Sequence, residues 1–143
     1  MSELAVDGCT FKASIDVSLG SINAPNITTP NKNTEASKKV LAGAGVFFKQ
    51  VTALIQAGAS VSLTTPPAGA TSGSGQLMAP APVIINGTAN KVLVEGQNAV
   101  QQGDYGEADI QFIFPGPNGS TVPGNVHVKV EVDDPGQTDV VAL

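Results

Sequence analysis

Val126-His127-Val128-Lys129-Val130-Glu131-Val132 decides the fold class. Four valines share one side of a period of two, and His127, Lys129 and Glu131 share the other, which is the pattern of a strand with one buried face. β-branched residues suit such a pleated, half-buried surface. Upstream, Ile110, Phe112 and Phe114 repeat the pattern with Gln111 opposite, and Pro115-Gly116-Pro117-Asn118-Gly119 ends that run in a turn. Downstream, Asp133-Asp134-Pro135-Gly136 reads as a turn and Val140-Val141 as a last short strand.

Working outward, Phe11, Ala13, Ile15, Val17 and Leu19 alternate with Lys12, Ser14, Asp16 and Ser18, predicting a strand that Gly20 closes. Further short strands are expected at 61–63, 83–85 and 92–95. One segment departs from this rhythm. From Val40, apolar residues fall at 40, 41, 44, 47, 48, 51, 54 and 55, the spacing of a helix. The spacing predicts a helix over 34–57, with Asn33 or Thr34 as N-cap and Gly58 at the C-terminal cap. Gly43 and Gly45 would each cost that helix about 1 kcal/mol. Residues 66–82 hold Pro66-Pro67, Ser72-Gly73-Ser74-Gly75 and Pro80-Ala81-Pro82, and read as a long flexible loop. Residues 21–33 read as a second irregular stretch.

The 143 residues suit one domain spanning 1–143. With 16 Gly, 10 Pro, 41% hydrophobic residues, 4% aromatics and no Trp, its core must be built from Val, Ile, Leu and Ala between frequent turns. The expected fold is therefore mainly β, a small Gly/Pro-rich domain of short strands with one helix near 34–57.

Charge narrows the function classes. The net charge is −5, and all seven basic residues are Lys. Phosphate backbones are held by clustered Lys and Arg, so nucleic acid is not an expected partner. Residues 1–102 carry a net +1 and residues 103–143 a net −6. That acidic end is either a solvated face aiding solubility or a polar face kept clear of a docking surface. Met-Ser-Glu-Leu-Ala-Val-Asp opens with acids where a secretory signal carries Lys or Arg, which points to synthesis in the cytoplasm without a signal peptide. No run of 18 apolar residues offers a spanning helix.

Catalytic patterns do not assemble. His127 is the only His, and its phase puts it on the polar face beside Lys129 and Glu131. A nucleophilic triad needs a His base, and neither GxSxG nor a phosphate loop occurs. Asp104, Glu107 and Asp109, or Asp133 and Asp134, offer paired carboxylates, but both groups lie in turns that favour Asp for local reasons. Zinc wants four N or S ligands, and the candidates here are Cys9 and His127. Cys9 shares the phase of Phe11 and Ile15, so it reads as a buried small hydrophobe. No enzyme is expected.

The stretch from Val83 to Asp104 carries a resemblance. Val92, Leu93 and Val94 form a strand, Gly96 a turn, Ala99 follows, and Gly103-Asp104 closes the run. This resembles the repeated hairpin of PAAR-like proteins, the sharp tips of contractile injection systems and contractile phage tails. In that family the stretch after the turn reads Pro-Ala-Ala-Arg; here Asn98 stands for the Pro and Gln101 for the Arg. The resemblance covers about 22 of the 143 residues. It implies a small β cone that caps and sharpens a trimeric spike, one copy per trimer. It also implies transient contact with a target membrane and a place in a phage tail-like particle. Zinc at the apex is implied too, although a single His and a single Cys weigh against it.

Two other classes stay open. One is a stand-alone β-sandwich module binding carbohydrate or a cell surface, for which Tyr105 is the candidate aromatic platform. The other is a different structural component of a phage-like particle, such as a decoration or adaptor protein.

Overall fold

The alternating runs do form strands, and their register explains the choice of residues. A computed structural model describes residues 2–137 and 141–142. In chain order the first elements are β1 (Ser2–Glu3), β2 (Phe11–Ser14), β3 (Gly20–Asn23), β4 (Ile27–Thr28) and a one-turn helix α1 (Lys32–Glu35). Next come β5 (Ala36–Leu41), β6 (Gly45–Phe47), β7 (Gln50–Ile55), β8 (Ser60–Leu63) and β9 (Ser74–Gln76). They are followed by β10 (Ala81–Asn86), β11 (Ala89–Val94), β12 (Gln97–Ala99), β13 (Tyr105–Pro115), β14 (Thr121–Val132) and β15 (Val141–Ala142). Strands take 56% of the described residues and helix 5%, so the chain is mainly β, as its composition and alternation predict.

The largest sheet has six strands in the order β2-β14-β13-β9-β8-β3. Its spine is the β13–β14 hairpin, in which Ile110 faces Val126, Ala108 faces Val128 and Gly106 faces Val130. Every even-numbered partner therefore points to one face. Phe112, Phe114, Val128 and Val130 are wholly buried there. Onto that face packs a three-stranded sheet, β10-β7-β4, contributing Val51, Ala53, Ile55, Val83 and Ile85 to the same apolar core. Full burial of each such side chain stabilises by about 1.5–3 kcal/mol. Gly75 and Gly124 flank the Phe114 ring, and a Cβ at Gly75 would collide with it, so these glycines make room for the aromatic.

A second, smaller apolar cluster sits beside the first. Leu4, Val6, Val46, Ala89, Val94 and Ala99 form it, with Phe48 and Val92 packed against it. It joins the two-stranded sheets β5–β6 and β11–β12. Isolated bridges from Leu4 to Gln101, Val6 to Val46 and Phe48 to Ala99 stitch it together.

Several expectations are corrected here. The one α-helix among the described residues is α1, a single turn that begins before residue 34 and reaches only Glu35, and most of 36–57 is β5, β6 and β7. Its apolar spacing conceals a strand buried on both faces: Val51, Thr52 and Ala53 are consecutive buried residues. Such a run has no period to read. Gly43, at φ 81, lies in the β5–β6 turn, and a Cβ at Gly45 would strike the Ser37 carbonyl. Both mark a hairpin rather than weak points in a helix.

The strand predicted over 11–19 stops at Ser14. The Asp16 carboxylate accepts from the Ser18 amide at 2.9 Å and the Ser18 hydroxyl at 2.8 Å, a local turn that competes with the ladder. Val17 is left 90% exposed. Residues 21–33 carry β4 and part of β3 and α1. Within 66–82, β9 pairs with β8 and touches β13 at Ile113, and the Thr71 amide donates to the Pro115 carbonyl at 2.9 Å. The terminal strand forms as β15 against β1; Val140 lies outside the described residues.

Candidate functional site

The stretch carrying the family resemblance folds as one unit. β10 leads through Asn86-Gly87 into β11, which pairs with β12 across a tight turn at Glu95 and Gly96. Glu95 has φ 52 and Gly96 φ 82, both left-handed, a region in which glycine is strain-free. Val94 and Ala99 are buried, Val92 is half-buried, and Leu93 points outward at 58% exposure. Gly103, at φ 91, then turns the chain into Asp104.

Asp104 is a buried carboxylate that knits this unit together. One oxygen accepts from the Gln101 amide at 2.9 Å and the Thr88 amide at 3.1 Å, and the other accepts from the Thr88 hydroxyl. The Gln101 side-chain amide donates to the same Thr88 hydroxyl oxygen at 3.0 Å. The Asn98 carbonyl accepts from the Lys49 amide at 2.7 Å. Thus Gln101, which departs from the family pattern, holds the hairpin with its side chain, whereas Asn98 does so through its backbone carbonyl.

The neighbouring hairpin β5–β6 is fixed to the first by a polar contact. Its register breaks between Ala36 and Leu41, and the β11–β12 register breaks between Ala89 and Leu93. Inside the first break, the Ser37 hydroxyl oxygen accepts from the Lys39 amide at 3.1 Å and the Val40 amide at 3.0 Å. The same hydroxyl donates to Glu95 across the hairpins at 2.9 Å. A second buried carboxylate, Glu35, accepts from the Thr52 amide at 2.8 Å and the Thr52 hydroxyl at 2.7 Å. It ends α1 and anchors it to β7. Glu35 and Thr52 lie seventeen residues apart, a separation that carries no spacing signal, so the sequence does not single out this contact.

The acidic residues of 103–143 divide. Asp104 is inside, whereas Glu107 and Asp109 lie on the outer face of β13 opposite Lys129 and His127. His127 Nδ1 is 2.9 Å from Asp109 and its Nε2 is 3.4 Å from Glu107. These hydrogen bonds, that to Asp109 foremost, hold the imidazole pKa above its ordinary value. Lys12 pairs with Glu131 at 3.5 Å and Asp133 at 3.7 Å. The outer face is therefore a ladder of interleaved charges, exposed apart from the half-buried Glu131, and each pair is individually weak. Asp134 accepts from the Gly136 amide at 2.9 Å, a turn contact.

Cys9 and His127 do not come together. Cys9 is buried on the core side, where burial above all, then the Asp7 carboxylate, pushes its thiol pKa up to about 12. His127 is exposed on the opposite face and already held by two carboxylates. A zinc ion needs a thiolate and convergent ligands, so this pair does not fit one. No group of three or more potential ligands clusters among the described residues. Tyr105 is 54% exposed, but the Lys129 ammonium lies 4.4 Å from its ring centre and occupies one face. Among the described residues no helix is long and apolar enough to cross a membrane. No protein-family model, curated protein or solved structure matches the chain.

Proposed function

We propose that the protein is a PAAR-like tip that caps and sharpens the trimeric spike of a contractile injection apparatus and helps pierce a target membrane. The observation that carries this reading is the unit from β10 to Asp104. Six of the seven residues behind the resemblance have a structural task there: Val92, Val94 and Ala99 pack, Gly96 and Gly103 turn, and Asp104 locks the turn, while Leu93 points outward. A piercing element must keep its shape under load. Antiparallel ladders, a Val/Ile/Phe core and buried carboxylates satisfied by backbone amides supply that rigidity.

On this reading the protein works mechanically and not as an enzyme. It docks one copy on a spike trimer, without nucleic acid and without a metal held by Cys9 and His127. It is made in the cytoplasm and joins a phage tail-like particle. The test is size-exclusion chromatography with the trimeric spike protein of the same source. A complex of one chain per spike trimer supports the reading; a stable homotrimer with no spike affinity overturns it.

One observation favours a second reading. The three-stranded sheet packs face to face on the six-stranded sheet, the layering of a β-sandwich binding module. Because Lys129 covers one face of Tyr105, a carbohydrate platform at that ring is disfavoured. A role as another particle component differs from the tip in copy number.

A further inference from the structure

The lysines of this acidic protein are sorted by place. Residues 31–49 and 89–102 carry Lys32, Lys38, Lys39, Lys49 and Lys91 against Glu35 and Glu95, a net +3, which leaves −8 for the rest of the chain. All five lysines are exposed, and none forms an ion pair among the described residues. Glu35 is buried on Thr52 and Glu95 is taken by Ser37, so neither acid is paired with these cations.

The backbone puts the charges outside. Lys38, Lys39 and Val40 occupy the register break of β5, which Ser37 holds open, and Lys91 occupies the break of β11. β-bulges turn side chains away from the ladder in this way. The Ser37–Glu95 contact and the shared cluster of Val46, Val94 and Ala99 keep the two hairpins side by side. Large apolar groups are exposed among the lysines: Leu41 at 65%, Leu93 at 58% and Val40 at 39%.

We propose that these two bulged hairpins form a docking surface for an anionic lipid bilayer. Leucines standing out beside lysines fit a bilayer boundary, where apolar tips enter the acyl edge and the flexible Lys stems reach headgroup phosphates. The acidic remainder does not cancel the attraction, because charges beyond a Debye length of about 8 Å are screened at physiological salt. The surface names which end of the molecule meets a membrane. Its biological use rests on the tip reading, but the binding itself does not.

The experiment is co-sedimentation of the full-length protein with phosphatidylglycerol-rich vesicles and with pure phosphatidylcholine vesicles. The protein pellets with the anionic vesicles at about 0.15 M salt and is released at roughly 0.5 M salt. Lys38→Glu with Lys39→Glu weakens binding by about thirtyfold or more, Leu41→Ser weakens it at physiological salt, and Lys129→Glu on the outer ladder leaves it unchanged. An unchanged melting temperature in each variant shows that the fold persists. Equal binding to both vesicle types, binding insensitive to Lys38→Glu with Lys39→Glu, or salt-sensitive self-association without vesicle binding would each overturn the proposal. Spike capture is a separate readout, so failure of the tip reading and failure of lipid binding are distinguished.

Discussion

Thr88 gives both its backbone amide and its hydroxyl to the carboxylate of Asp104, sixteen residues away in the chain. That contact closes the β11–β12 hairpin at its base and joins it to the start of β13. Removing the carboxylate leaves the amides of Thr88 and Gln101 without their acceptor.

Asp104→Ala should therefore lower stability by about 2–3 kcal/mol. Thr88→Val, which keeps the amide contact and loses only the hydroxyl, should cost about 1 kcal/mol. Urea unfolding of both variants checks the order. Equal losses would mean that the carboxylate is not the organising group.

Gly106 sits under the carbonyl of Ile84, where β10 crosses β13, and any Cβ there meets backbone that has no room to move. Gly106→Ala should destabilise by about 3 kcal/mol. A thermal melt within a degree of the parent would place the two sheets differently.

Asp109 and Glu107 stabilise the imidazolium of His127, so its folded pKa lies above the ordinary value of 6.5. The sign follows from linkage: the stabilisation is fully present below the unfolded value and is lost as pH rises through the folded value. NMR titration of the His127 ring should show a raised pKa that falls in Asp109→Asn. The ring is exposed, so the effect is read as a titration shift.

Cys9, with its thiol pushed up to about 12, should be inert to thiol reagents at pH 8 in the folded protein and react fully in denaturant. Rapid native-state labelling would contradict its buried position.

The sequence made the two-sided strands legible and the fully buried ones illegible. β13 and β14 each have a solvent face, so the alternation of Val126 to Val132 carries through to the register. β7 is covered on both faces; its polar Thr52 is buried on Glu35 and marks no solvent face, so its apolar positions mimic a helix. Gly43 and Gly45 held the correcting signal, since two glycines two residues apart suit a hairpin turn better than a helix interior. Val17 and Leu19 kept the strand phase although the Asp16–Ser18 turn ends the strand, a competition that periodicity does not register. At the candidate site, Gly96, Gly103 and Asp104 were readable as turn residues. The placing of Lys38, Lys39 and Lys91 on two bulges was not, because it depends on register breaks in β5 and β11 and on the Ser37–Glu95 contact that links their hairpins.

Copy number on intact particles tests the central claim most directly. Tagged protein would be sedimented from source lysate and its copies per particle counted against sheath and spike proteins. A tip protein pellets with them at about one copy per particle, one for each spike. A protein that stays soluble and alone, or that pellets at many copies per particle, contradicts the account.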